Sequence, residues 1–214
     1  MPFSTFYLNQ ALQGLSTVTI AALYQNPARS TNALAGATTG IYTVTSPTFP
    51  IVTGNTVLIA SGSLPAVLTG LPYVFIRPVP STTGQFYAYS TLANAVADTN
   101  RLVPGSAFTG TVVDRDLDVL FSAAALAGYE STFTGYARST ANYAAGTVPA
   151  SGNITRNVAL IVNNSSATSA SVTHVLALAS NGTDVIGIAK LANVAVVPAT
   201  ETLTITTSVL AAGA

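Results

Sequence analysis

The side chains able to do chemistry are few and scattered. The one histidine, His174, sits in Val172-Thr173-His174-Val175. An imidazole there could act as a general base or a metal ligand. With no second histidine and no serine-nucleophile motif, the expectation is a structural imidazole bonded to a neighbouring strand. Asp114-Arg115-Asp116-Leu117-Asp118 holds four of the fourteen charged side chains. Carboxylates so spaced could hold a hard cation, but the glycine and distal glutamate of a calcium loop are missing. Capping of a helix start, with a local arginine pair, accounts for them more simply. Tyr73, Tyr87 and Tyr89 could form a platform stacking on the apolar faces of sugars, against a competing reading as ordinary strand packing. Asn153-Ile154-Thr155, Asn164-Ser165-Ser166 and Asn181-Gly182-Thr183 match glycosylation acceptors but read as turns. Gly36 to Gly40 is glycine-rich, yet no lysine or following helix motif makes it a phosphate cradle. No catalytic, cofactor or metal site is expected, and the three tyrosines are the candidate contact surface.

The elements that must position these residues are mostly strands. Ser4 to Gly14 reads as a short helix capped by Ser4 or Thr5, and Ser16 to Tyr24 as a strand rich in β-branched residues. Pro27 to Gly40 reads as a loop of small residues. Short strands are predicted at Ile41–Thr45, Thr56–Ala60, Tyr73–Arg77 and Gln85–Ser90, the last with Phe86, Ala88 and Ser90 on one face and Tyr87 and Tyr89 on the other. Leu92–Ala97 reads as one helical turn, and Asp116–Gly128 as the clearest helix. Strands follow at Thr132–Tyr136, Asn157–Val162, Val172–Ala179, Val185–Leu191 and Thr202–Val209. Turns fall at Asn163–Ser166 and Ser180–Thr183, the second as in a hairpin. Short strands between Gly/Pro turns build a barrel or sandwich. The stretch Pro27–Gly36 also echoes Tyr136–Gly146, too briefly to define a repeat.

Composition narrows the function classes. The chain has 214 residues, 49% hydrophobic and 7% charged, with net charge zero and no cysteine; its mean hydropathy is +0.51. Such a chain can bury enough surface to order itself. One lysine and zero net charge argue against a nucleic-acid partner. Disulfides and thiolate-bound zinc are excluded. A soluble domain is typically about 25% charged. The deficit fits either a membrane or a surface covered by neighbours. The uncharged stretch Ser30–Ile76 is broken by Thr, Ser, Gly and Pro, and the run Val119–Tyr129 is shorter than the ~20 residues of a spanning helix. The start, Met1-Pro2-Phe3-Ser4, shows no signal core. A subunit that assembles with others is the expectation.

Two sets of motifs resemble phage proteins. Val52-Thr53-Gly54-Asn55-Thr56-Val57, Ser61–Gly70, Tyr73-Val74-Phe75-Ile76, Gln85-Phe86-Tyr87-Ala88 and Ser90–Ala95 follow the order of a small β module common in tailed-phage proteins. The histidine motif that precedes the family's first turn is Phe49-Pro50-Ile51 here, so no role for that histidine carries over. The flanks, Phe3–Leu12, Thr17–Tyr24, Tyr136-Ala137-Arg138, Ser171–Ala179 and Ala199–Ile205, resemble small tail-fibre-like structural proteins of tailed phages. The order of the two sets implies a discontinuous β host domain, residues 1–36 plus 113–214, with a β module of residues 37–112 inserted in a surface loop.

The fold class expected is mainly β: a sandwich or barrel host with one or two short helices and an inserted barrel-like module. The function implied is that of a non-enzymatic, homo-oligomeric virion protein, an accessory subunit of tail, fibre or head (decoration or cement). Its partners would be sister subunits and other virion proteins. The alternatives are a carbohydrate-binding adhesion module meeting host glycan through the tyrosines, and a depolymerase using Asp114, Asp116, Asp118 and Glu130.

Overall fold

The structure is a computed structural model describing residues 17–117, 123–142, 154–179 and 181–212. It is mainly β and divides into two compact units, one of Met1–Tyr24 with Glu130–Ala214 and one of Gln25–Tyr129.

The second unit is a closed antiparallel barrel. Its strands are β2 (Asn32–Gly36), β3 (Tyr42–Val44), β4 (Thr56–Ala60), β5 (Val74–Pro78), β6 (Gln85–Tyr89) and β7 (Phe108–Asp114). They close in the order β2-β3-β6-β5-β4-β7. Closure removes the unpaired edges that an open sheet would present. Alternate residues point inward, among them Leu34, Tyr42, Val44, Val57, Ile76, Phe86, Ala88 and Val112. Helix α1 (Leu92–Ala97) packs on β5 and β6 with Ala95 fully buried. The Thr91 side chain caps it by accepting from Asn94 N, and Asp98 ends it in the left-handed region. Gly110 is required where β7 passes β4, because a Cβ there would lie 2.4 Å from the Ala60 carbonyl oxygen.

The first unit is a sandwich. One sheet has the order β11-β10-β1-β8, from β1 (Thr17–Leu23), β8 (Ser139–Asn142), β10 (Ala170–Leu178) and β11 (Val185–Val197). The other pairs β9 (Ile154–Asn163) with β12 (Thr202–Ala212). Val18, Ile20 and Ala22 of β1 share a core with Leu160 and Val162 of β9, Val172, Val175 and Ala177 of β10, and Ile205 of β12. β10 is buried on both faces, since Thr173, His174, Leu176 and Leu178 are covered as well. Both units therefore have a core of their own.

Several expectations are corrected. Pro27–Gly40 is not all loop: Asn32–Gly36 is a strand paired on both sides, with Leu34 opposite Val44 and Gly110. Burial between two neighbours overrides the low strand propensity of Asn-Ala-Leu-Ala-Gly. Residues 132–136 form a bend and a turn at 133–135 rather than a strand, and pairing resumes at Ser139. Asp114 ends β7 instead of capping a helix; the described helix, α2, is Ala123–Ala127, while residues 118–122 of the expected helix lie outside the described residues. The Ser4–Gly14 helix lies outside them too. The unit boundaries fall after Tyr24 and Tyr129, not at 36/37 and 112/113. The reason is that β2 and β7 pair with each other and close the barrel, so neither can belong to the host. The Pro27/Tyr136 echo spans β2 of the barrel and β8 of the sandwich, so similar residues serve two units.

Candidate functional site

Among the described residues, polar side chains gather in several separate places. At one end of the barrel, the Asp114 carboxylate is buried and its Oδ2 accepts from Gln25 Nε2 at 2.6 Å and from the Tyr129 hydroxyl at 3.0 Å. Asn55 Nδ2 donates to the same hydroxyl at 3.0 Å and to the Pro50 carbonyl at 2.8 Å. Gln25 Nε2 also reaches the Arg115 carbonyl, and Leu117 N donates to Gln25 Oε1. Burial, and then the Asp114 charge, push the Tyr129 hydroxyl well above the usual tyrosine range.

The candidate tyrosines are separated by burial. Tyr89 is fully buried, and its hydroxyl donates to Asp98 Oδ1. The sequence alternation sets Tyr87 and Tyr89 opposite Phe86 and Ala88, and Tyr89 is buried on the strand against which α1 packs. Tyr87 is half-buried with the Arg101 guanidinium 3.5 Å from its ring centroid. Arg101 also holds Asp98 through two bonds of 2.8 Å, which depress the Asp98 carboxyl well below the usual range. Tyr73 lies edge-on to Phe75, with the Arg115 guanidinium 4.0 Å from its ring centroid. The three do not form one open platform.

In the sandwich, Glu130 takes two bonds from Arg138, Nε to Oε1 at 2.8 Å and Nη2 to Oε2 at 2.7 Å. The Tyr136 hydroxyl donates to Glu130 Oε1 and accepts from Ala22 N. Arg138 Nη1 adds a bond to the Gly182 carbonyl. This set ties the 130–138 segment to β1 and to the β10–β11 hairpin. The Tyr136-Ala137-Arg138 motif thus has a structural use that its sequence alone did not disclose. His174 is buried on β10 with Nδ1 2.9 Å from Thr173 Oγ1, in register with Lys190 of β11.

The described acceptor motifs are turns. Asn164 is buried, donates to the Thr168, Val197 and Pro198 carbonyls, and accepts from Ser166. Asn181 accepts from Thr183 N and Asp184 N within the β10–β11 hairpin. Asn153 lies outside the described residues. Sequence reasoning named Asp114 but missed its partners Gln25 and Tyr129, and Asn55 that holds the Tyr129 hydroxyl, since these residues meet only when the barrel closes. Among the described residues no group of three or more His, Cys, Asp or Glu is placed to hold a metal ion, and no helix is long and apolar enough to cross a membrane. An open groove of about 490 Å³ on the barrel is lined by Ala35, Gly36, Ala37, Thr43, Ala107, Phe108 and Thr109, none of them titratable.

The buried hydroxyls make the fold sensitive to alkali. Burial raises Tyr42 and Tyr136 above the ordinary range, and Tyr89 is pushed up to about 12 by burial and then by Asp98. A folded pKa above the unfolded value of about 10 stabilises the protein below pH ~10, and that contribution is lost as pH rises through the folded value. Spectrophotometric titration of tyrosinate should therefore lag behind the same titration in urea, and the two should merge only as the chain unfolds. Superimposed curves would contradict the burial of these hydroxyls.

Set against family models, curated proteins and solved structures, the chain matches none.

Proposed function

We propose that this chain is a non-enzymatic structural subunit of a tailed-phage virion, working in a symmetric assembly as a surface-exposed accessory of tail, fibre or head. One observation carries the reading: a surface short of charge that also exposes large apolar side chains. Ile161 (52% exposed), Val194 (41%) and Val196 (55%) stand out on the sandwich, and Val96 (60%) and Val103 (44%) on the barrel. Isolated apolar residues on a surface are ordinary. Here they accompany only fourteen charged side chains in 214 residues, which is poor protection against association. Faces of Thr, Ala and Val lose little when a sister subunit removes them from water.

The order of the phage-like motifs supports the virion assignment. Asp114, Glu130 and Asp98 are each engaged by neighbouring side chains, Gln25 and Tyr129, Arg138 and Tyr136, and Arg101 and Tyr89 in turn, which supports a structural role over a catalytic one. The glycan-binding alternative rests on Tyr73 and Tyr87, each of which already carries a guanidinium on its ring.

Sedimentation at micromolar concentration should give a stable dimer, trimer or larger ring, and antibody to the barrel should label the outside of intact virions. A 21.7 kDa monomer throughout that range, or particles without label, would overturn the proposal.

A further inference from the structure

We propose that Asp114 is a clasp that locks together the two chain ends of the barrel unit and makes Gln25–Tyr129 a single cooperative unit, one that opens without the sandwich. This inference stands apart from the functional reading above. Gln25 is the first residue of the unit and Tyr129 the last. Both donate to one atom, Asp114 Oδ2, at 2.6 and 3.0 Å. All three side chains are nearly inaccessible, at 4%, 5% and 4% exposure for Gln25, Tyr129 and Asp114. Hydrogen bonds to a buried carboxylate are short and strong, because the ionised acceptor is out of competition with water.

The clasp reaches into the barrel wall from three sides. Asp114 ends β7, the strand that pairs with both β2 and β4 and so completes the ring. Gln25 also takes Leu117 N and gives to the Arg115 carbonyl, which fixes the chain just beyond β7. Asn55, immediately before β4, holds the Tyr129 hydroxyl and the Pro50 carbonyl. Opening the clasp frees both ends of the unit at the point where the last strand shuts the barrel. The apolar core of the barrel is drawn wholly from residues 34 to 112, so the interactions that the clasp completes belong to this unit.

The test is segment-resolved hydrogen exchange on the full chain. Tyr129→Phe removes one hydroxyl and keeps the ring. It is expected to lower protection about tenfold or more across β2 to β7 together, the scale of one hydrogen bond to a charged group. β1 and β9 to β12 should be unchanged. Gln25→Met should do the same, and the double variant should lose less than the product of the two single losses, because both bonds serve one carboxylate. Asp114→Asn keeps the shape and should resemble the double variant. The proposal is overturned if protection falls only at amides beside the substituted residue. It is also overturned if barrel and sandwich lose protection equally, or if the two single effects multiply. Should Asp114→Asn fail to fold, Tyr129→Phe and Gln25→Met still decide between these outcomes.

Discussion

A chain in which Asn-Gly replaces residues 24–129 is expected to fold into the sandwich alone. Leu23 and Glu130 face each other as an antiparallel bridge, and Ser131 N donates to the Ala22 carbonyl at 3.0 Å. These are the positions that flank a two-residue hairpin turn, for which Asn-Gly is the favoured sequence. The sandwich core draws on residues 18 to 22, 160 to 205 and the packed rings of Phe133 and Tyr136, none of which is removed. The Glu130–Tyr136–Arg138 set, which anchors the far side of that turn, is kept as well. Denaturant unfolding followed by far-ultraviolet circular dichroism should show one cooperative transition. Its m-value should be about half that of the full chain taken as a whole, because m follows the surface exposed on unfolding. A non-cooperative or aggregated product would mean that the barrel is not an insertion in a hairpin but a part of the host's folding unit.

The sequence shows the barrel's strands better than its edges. Thr56–Ala60 and Leu92–Ala97 emerge with the predicted bounds. Asn32–Gly36 gives no local signal of a strand. Its residues become a strand only because β3 and β7 arrive on either side, a non-local cause that no window along the chain contains. With that strand missed, the inferred boundary fell inward, past the whole of β2. Asp114 shows the same limit from the other side. A carboxylate beside Arg115 and Asp116 looks like a helix start, while its real partners are Gln25 and Tyr129, 89 and 15 residues away. Tyr87 and Tyr89 alternate as expected, yet alternation assigns a face and not its exposure. Tyr89 is buried on the strand against which α1 packs, with its hydroxyl bonded to Asp98 at the helix end. Composition, periodicity and turn residues thus made the fold class legible, whereas the polar networks depended on contacts made by closure.

Tyr42→Ala is expected to destabilise the barrel by about 3–5 kcal/mol, the usual cost of truncating a buried aromatic ring. Tyr42 is fully buried, stacks on Phe86 with centroids 5.5 Å apart and planes 4° from parallel, and meets Phe108 edge-on at 6.2 Å. The pairing explains why these rings meet. Phe86 is opposite Tyr42, Tyr42 opposite Gly36, and Gly36 opposite Phe108, so one rung crosses four strands. Gly36 is the gap in that rung, and the Phe108 ring fills it: a Cβ at Gly36 would lie 2.1 Å from Phe108 Cε1. Removing the Tyr42 ring therefore leaves a void that its neighbours cannot close by a rotamer change alone, because Phe108 is already committed to the space over Gly36. Tyr42→Phe separates the ring from the hydroxyl, which donates to the Leu102 carbonyl at 2.7 Å. It should cost only about 1 kcal/mol, the net worth of one neutral hydrogen bond. Denaturant unfolding, with hydrogen exchange reporting on β2 to β7, measures both. The alanine loss is a large share of the ~5–15 kcal/mol that holds a domain folded, so the barrel should approach its unfolding threshold while the sandwich keeps its protection. An alanine effect no larger than that of phenylalanine would show that the rung does not carry the barrel.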